Sequence, residues 1–138
     1  MEILDIAGCI ILDDYGRLLL VHHIGSEETF WDIPTVQVAE DESTESAAVR
    51  ASAEQLAVEV KLVGSPGSEL VEGDDMAYRY HWFQAIIERG QAVVADPDTA
   101  NDFDYFELED MPSLALSSNV LTLYPKIYSG EILLDSSL

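Results

Sequence analysis

The most informative part of the sequence runs WDIPTVQVAEDESTESAAVRASAEQLAVEV from residue 31 to residue 60. Its second half, residues 44–60, is rich in Ala and Glu and contains no Gly or Pro, so it predicts a helix. Ser43 stands where an N-cap is expected, and Glu45 falls in the first turn, where a negative charge suits the helix dipole. Pro34 interrupts regular pairing in the first half. The pattern predicts an irregular approach that leads into one central helix.

Apolar segments before this helix predict strands. Residues 7–12 and 17–24 are two apolar runs, and the turn-forming residues 13–16 (Asp-Asp-Tyr-Gly) lie between them. We therefore expect a β-hairpin at the start of the chain. A polar loop, residues 25–30, follows it.

The segments after the helix predict further strands and a second helix. Gly64, Pro66 and Gly67 predict a break, and residues 76–87 predict a long strand in which aromatic residues alternate. An acidic loop is expected over residues 95–104, followed by a short strand over 105–108. Residues 118–127 predict a helix that Pro125 ends early. Together these elements predict a single domain over residues 1–138, of the α/β or α+β class with a mixed sheet.

The composition limits the possible partners. The chain has 6 Lys and Arg against 27 Asp and Glu, a net charge of −21, and 48% of its residues are hydrophobic. This apolar content supports a folded core rather than a disordered acidic tail. Such a negative surface repels nucleic-acid polymers and anionic membranes, although a divalent cation can still bridge it to a small phosphorylated molecule. We hold as a hypothesis that the acidity is an adaptation to high salt.

Several absences in the sequence predict a cytoplasmic protein. Cys9 is the only cysteine, so no internal disulfide forms. The first residues lack the basic and apolar parts of a signal peptide, and no apolar run approaches the length of a membrane span. The sequence leaves homodimer formation open.

The central segment resembles the Nudix hydrolase family. That family's box reads Gly, five residues, Glu, seven residues, then Arg-Glu-U-x-Glu-Glu-x-Gly-U, where U is a bulky aliphatic residue. Arg50 sets the register because it is the only basic residue in the region; Glu42 then lies eight residues before it, and Glu54 and Val58 match later positions. The resemblance extends over about residues 5–127. It implies a Nudix-type α/β/α sandwich with a mixed β-sheet around the box helix.

The box is degenerate. Val36 replaces its first glycine, and Ala51, Gln55 and Ala57 replace a glutamate, the second glutamate of the pair and the last glycine. Ser52 replaces an aliphatic residue. In the family, the glutamates at positions matching 51, 54 and 55 hold Mg²⁺ or Mn²⁺, because hard cations prefer oxygen ligands. Only Glu54 keeps its charge here, so we expect weakened metal binding.

The resemblance implies roles for the residues that remain. Glu54 is expected to act as a metal ligand, and Glu42 and Arg50 are expected to tie the preceding loop to the helix. Asp102 is the better candidate, ahead of Asp98, for an additional metal ligand from a later loop. Each has an alternative: Glu54 pairing with Arg50 one turn away, a simple surface ion pair between Glu42 and Arg50, and a solvated acidic loop around Asp102.

Two functions follow from this comparison. The first is a divergent Nudix hydrolase of low or altered activity that uses Mg²⁺ or Mn²⁺ to cleave a nucleoside diphosphate linked to another moiety. The second is a catalytically silent Nudix-fold domain that binds a nucleotide or regulates another protein. A third alternative is a protein-interaction module that uses an aromatic face of the sheet. The aromatic residues themselves have two interpretations, stacking on a base or packing in the core; they are Trp31, Tyr78, Tyr80 and Trp82.

Overall fold

The apolar runs of the chain form strands in two sheets, and two helices cover them. The structure, a computed structural model, describes residues 2–135. The strands are β1 (Glu2–Ile11), β2 (Leu18–His23), β3 (Phe30–Asp32), β4 (Thr35–Gln37), β5 (Glu59–Glu72), β6 (Met76–Arg89) and β7 (Ala100–Phe106). The helices are α1 (Thr44–Leu56) and α2 (Ser118–Tyr128), and a 3-10 helix (Leu108–Ser113) precedes α2.

The larger sheet is mixed, as the sequence predicts. Its strand order is β4-β1-β6-β5, in which β1 and β6 are parallel and the other pairs are antiparallel. The parallel register runs from Glu2 opposite Met76 to Ile11 opposite Ala85. The smaller sheet is antiparallel, with the order β3-β2-β7.

The expected hairpin between the first two strands does not form. β1 and β2 lie in different sheets, and only a single bridge between Leu12 and Leu18 joins their ends. Ala7 and Cys9–Ile11 are buried without interruption on both faces of β1, so this strand fits the interior of a sheet, between β4 and β6. The turn at residues 13–16 was predicted from its local chemistry, but burial decides the partners of the strands.

The helices cover opposite faces of the larger sheet, which confirms the α/β/α sandwich. α1 buries Ala47, Ala48 and Leu56 in a core with the strand residues Cys9 and Phe83. On the other face, α2 buries Val120 and Leu123 in a second core that contains Ile10, Leu20 and Trp82. Within residues 2–135, neither helix combines the length and the hydropathy that crossing a bilayer requires.

Two helix ends differ from the prediction. α1 stops at Leu56 because Ala57 adopts a left-handed conformation, with φ 57°, and the chain then enters β5. α2 continues three residues past Pro125 to Tyr128. The proline removes only the hydrogen bond to the carbonyl of Leu121, and Leu121 is an exposed residue, so water can hydrate that carbonyl.

β5 forms where the sequence predicts a break, and β7 begins earlier than predicted. β5 passes through Gly64, Pro66 and Gly67 with register shifts against β6. An edge strand tolerates such residues, since one of its sides needs no partner. β7 begins at Ala100, within the expected acidic loop, and it projects Asp102 and Asp104 into solvent.

Candidate functional site

The segment before α1 is held close to the larger sheet. A Cβ atom on Gly8 would lie 2.5 Å from Thr35 Oγ1 and 2.9 Å from the Pro34 carbonyl oxygen. The Cys9 amide donates a hydrogen bond to that same carbonyl over 3.0 Å. Glycine is therefore required at this position of β1, because Pro34 and Thr35 pass so close to Gly8 that a side chain would have no room. This contact fixes the position of the whole approach to the box helix.

Local chemistry sets the ends of the box helix. The Ser43 hydroxyl accepts a hydrogen bond from the Ser46 amide over 3.0 Å, as an N-cap does. At the other end, the Ala57 amide donates to the Ala53 carbonyl, and Ala57 itself is left-handed. Position 57 corresponds to the last glycine of the box, so the backbone keeps a conformation that suits glycine although the residue is alanine.

The guanidinium of Arg50 binds the two other charged box residues that remain, Glu42 and Glu54. Arg50 binds Glu42 through two bonds, Nε to Oε2 at 2.9 Å and Nη2 to Oε1 at 3.0 Å. Its Nη1 donates to Glu54 Oε1 over 2.7 Å, and its Nη2 also donates to the Gln37 carbonyl over 3.0 Å. The hydrogen bond from Arg50 lowers the pKa of Glu42, and the Ala39 amide adds to that effect. The network connects the segment after β4 to the middle of α1.

The two substituted box positions make different contacts. Ala51 is completely buried, on the side of α1 that faces the core. The Gln55 amide Nε2 donates a hydrogen bond to the Thr35 carbonyl over 2.7 Å, while its Oε1 is buried without a partner. A glutamate at position 55 would place a carboxylate against that carbonyl instead. Gln55 thus serves as a link between α1 and β4.

These residues do not fit the three-glutamate metal site of the family. Glu54 is engaged with Arg50, Ala51 offers no ligand, and Gln55 offers only an amide oxygen. Asp102 lies in the smaller sheet, opposite His22, and accepts a hydrogen bond from the Phe103 amide. Across residues 2–135, no group of three or more Asp, Glu, His and Cys side chains is arranged to hold a metal ion. The metal roles of Glu54 and Asp102 stay predictions.

A cleft of about 430 Å³ opens on the face of the larger sheet that α2 covers, opposite α1. β6 supplies Tyr78 and Tyr80, whose rings stack at 6.2 Å with an angle of 13° between their planes. Tyr80 is only 5% exposed and shares the core of this face with Trp82, which is fully buried. The other lining residues are Ile6, Glu28, Phe30, Asp32, Thr35 and residues 116–119 of the α2 start (Leu-Ser-Ser-Asn).

Asp32 is the buried acid of this cleft. Asn119 Nδ2 donates to Asp32 Oδ1 and to Thr35 Oγ1, over 3.2 Å in each case. Trp82 Nε1 donates to Asn119 Oδ1 over 2.7 Å, which fixes the orientation of the Asn119 amide. Burial raises the pKa of Asp32 to about 7, although hydrogen bonds from Ser117, Asn119 and the Ile33 amide oppose this effect.

Asp32 and Asn119 are not among the site residues predicted from the sequence. The available indication was the position of Asp32, a charged residue between Trp31 and Ile33 in an apolar run before a proline. A carboxylate in a buried strand needs polar partners, and this need points to a site. The partner Asn119 is 87 residues away, so local patterns gave no means to find it.

Comparisons with known proteins agree with this architecture. The family model described as NUDIX domain matches residues 4–126. The chain belongs to the Nudix family. Nudix hydrolases act on small nucleotide-linked substrates, and the family generally uses a divalent metal.

Three solved structures show how widely this Nudix fold is shared. A MutT NUDIX hydrolase from Burkholderia pseudomallei superimposes with a TM-score of 0.81 at 21% identity, covering 92% of this chain and 99% of that one. For an Ap4A hydrolase from C. elegans the TM-score is 0.74 at 18% identity, with 93% and 97% covered. A UDP-X diphosphatase gives 0.75 at 16% identity, with 95% and 65% covered. At these identities the likeness establishes the fold alone.

Proposed function

We propose that this Nudix domain binds a small nucleotide-linked molecule and hydrolyses it at a low, altered rate. The family match supports a hydrolase, and the arrangement around Arg50 supports the low rate. The observation that carries the proposal is the environment of the box helix: Glu54 pairs with Arg50, and Gln55 is bonded to the Thr35 carbonyl. A cation that approached this helix would meet one engaged carboxylate where the family offers three.

The printed names of two fold relatives support a proposal for the substrate class. The proteins that share the fold include an Ap4A hydrolase and a UDP-X diphosphatase. We propose a substrate of the same general kind, a nucleoside diphosphate linked to a second moiety. The cleft lined by Asp32 and Tyr80 is the proposed binding site for one end of this molecule.

The retained residues have structural tasks in this proposal. Arg50 binds Glu42 in a bidentate pair, so it holds the segment after β4 in a fixed position relative to α1. Glu54 is the remaining acidic group of the box. It is 49% exposed at its side chain, so it is accessible to a ligand or an ion from solvent.

A silent binding or regulatory domain is the second candidate. The contact that favours it is the hydrogen bond from Gln55 to Thr35, because an amide in that position stabilises the protein without metal. In this case, nucleotides would raise the melting temperature without being cleaved.

The test measures phosphate and pyrophosphate release from a panel of nucleoside diphosphate derivatives, with Mg²⁺ or Mn²⁺ present. We expect slow release by the wild type and at least a tenfold loss in Glu54→Gln. Glu59→Gln, at the exposed start of β5, is the matched control and should keep the wild-type rate. An unchanged rate in Glu54→Gln would contradict the role of Glu54. Nucleotide binding without any release would favour the second candidate.

Restoring a ligand provides an independent test. Gln55→Glu returns a carboxylate beside Glu54 with little change in shape, and we expect tighter Mn²⁺ binding and faster release. Ala51→Glu is less suitable, since Ala51 is fully buried and a longer side chain would disturb the core. Ala53→Glu places a carboxylate on the exposed side of the same helix and should change neither property. If Gln55→Glu binds Mn²⁺ no better than the wild type, the explanation by missing ligands is wrong.

A further inference from the structure

The cleft near Asp32 has an unusual lining for a phosphorylated ligand. It contains two acidic residues, Asp32 and Glu28, and three aromatic residues, Phe30, Tyr78 and Tyr80. No Lys, Arg or His is among the described residues that line it. A phosphate group in this cleft would meet a buried acid without any compensating positive charge. The cleft is therefore suited to a different part of the ligand.

The start of α2 does not make the cleft a phosphate site. A helix N-terminus attracts anions, and Ser117 and Asn119 stand at this one. However, both side chains bond to Asp32, so the protein's own carboxyl group already takes this position. A phosphate would therefore have to displace the Asp32 carboxyl group, whose negative charge would repel it.

The contacts of Asp32 favour an acceptor role. The Asn119 amide cannot turn its oxygen toward Asp32 to accept a hydrogen bond, because that oxygen, Oδ1, already accepts one from Trp82 Nε1. The Ile33 amide also donates to Asp32. These neighbours all match a carboxylate that accepts hydrogen bonds, yet they supply no cation. Asp32 is 8% exposed, and that remaining surface is open to the cleft.

We infer that the cleft binds a planar cationic group with N–H donors, an amidinium or guanidinium, between the Asp32 carboxylate and the stacked rings of Tyr78 and Tyr80. A planar cation gains from both features, since it forms paired N–H bonds with a carboxylate and is attracted to aromatic faces. The inference rests on the proposed function in one respect: the cleft is the site where one end of the nucleotide-linked molecule binds. The phosphate groups of that molecule then lie outside the cleft.

Binding depends on pH because the cation requires the ionised form of Asp32. The other titratable groups in the cleft are Glu28 from the segment before β3 and Tyr78 and Tyr80 from β6. β1, β4 and α2 contribute only Ile6, Thr35 and uncharged residues to the lining. With a pKa of about 7 for Asp32, the affinity rises with pH up to about pH 7 and levels off above it.

The experiment titrates the full chain with three probes of the same size by calorimetry. Benzamidine carries a planar amidinium, benzamide is its neutral counterpart, and benzoate is the anion. At about pH 8 we expect benzamidine to bind at least tenfold more tightly than benzamide, and benzoate not to bind. Asp32→Asn should remove the preference for benzamidine, whereas Glu59→Gln should retain it, because Glu59 pairs with Arg89 at the end of β5 that lies away from Tyr78 and Tyr80.

Several results would overturn the inference. These are equal binding of benzamidine and benzamide, a preference that survives in Asp32→Asn, or a wild-type affinity for benzamidine that does not fall as the pH is lowered from 8 to 5. The last measurement uses only the wild type, so it stands even if Asp32→Asn folds poorly. Failure of the probes with nucleotides still bound or cleaved would refute only this inference. If benzamidine binds but nucleotides are neither bound nor cleaved, the proposed function is wrong.

Discussion

At the scale of single residues, Ala57 shows how the chain retains a family conformation after losing the family residue. Its φ of 57° is in the left-handed region, where a Cβ atom is unfavourable. Gly90 packs closely against this residue, since a Cβ atom on Gly90 would lie 2.9 Å from the Ala57 carbonyl oxygen. Ala57 therefore adopts the left-handed conformation with a Cβ atom that this conformation disfavours.

We expect Ala57→Gly to stabilise the protein. The gain should be about 1 kcal/mol, the usual cost of a left-handed alanine. Urea unfolding measures it. Ala53→Gly, at an exposed position inside α1, is the matched control and should lose about 1 kcal/mol. A loss of stability in both variants would show that position 57 is not strained.

Asp32 gives a second prediction at this scale. Its pKa is raised to about 7 in the folded protein from a reference value of 3.8, so the folded state retains a proton that the unfolded chain has already lost. Stability therefore falls as the pH rises between these two values. From pH 5 to pH 8 the wild type should lose roughly 2–3 kcal/mol more than Asp32→Asn. Chemical unfolding of both proteins at the two pH values tests this, and parallel changes would contradict it.

At the scale of elements, the Arg50 network joins β4 to α1 by more than a single ion pair. The Arg50 side chain is 37% exposed and that of Glu42 only 15%, and the pair is bidentate. Arg50 also binds the Gln37 carbonyl, so its removal frees the segment between the two elements. Geometry of this quality is what distinguishes a useful surface pair from an incidental one.

A double-mutant cycle measures this connection. With Arg50→Ala and Glu42→Ala, we expect a coupling free energy of about 1 kcal/mol. Lys126 and Glu131 form the control pair, since they meet through a single contact of 3.4 Å and the Glu131 side chain is 66% exposed. The coupling of this pair should stay below about 0.5 kcal/mol. Similar values for both pairs would mean that the bidentate geometry adds nothing.

The same elements show what the sequence could predict. α1 and its cap at Ser43 were foreseen, because both depend on neighbouring residues. β5 was not, because its bulges at Gly64 and Gly67 are tolerated only by an edge strand, and edge position is a property of the sheet. The contact between Arg50 and Glu42 was implied by the resemblance to the Nudix box, whereas Asp32 and Asn119 meet only after the strands and α2 have assembled.

At the scale of the whole molecule, few positively charged side chains are present to pair with the acidic ones, and the net charge is −21. The six Lys and Arg residues cannot balance the 27 acidic ones, and acids such as Asp102 and Asp104 project into solvent. Repulsion among them destabilises the compact state and is screened by salt.

We expect the melting temperature to rise with NaCl. Screening should raise it by about 5 °C, mostly below ~0.5 M, where the Debye length shrinks most. A continued rise through the molar range would support the high-salt hypothesis. A melting temperature that is independent of salt would contradict both statements. Scanning calorimetry from 0.1 M to 3 M measures the response.

The parallel pairing of β1 with β6 also has a consequence for synthesis of the chain. Glu2 pairs with Met76, so β1 must wait for a strand that is synthesised more than 70 residues later (76 − 2 = 74). β5 and β6, by contrast, are neighbours in sequence and can pair as a local hairpin. Folding rates fall as the sequence separation of contacts grows. On the ribosome, β1 is therefore expected to remain without its central partner until the later hairpin has left the exit tunnel.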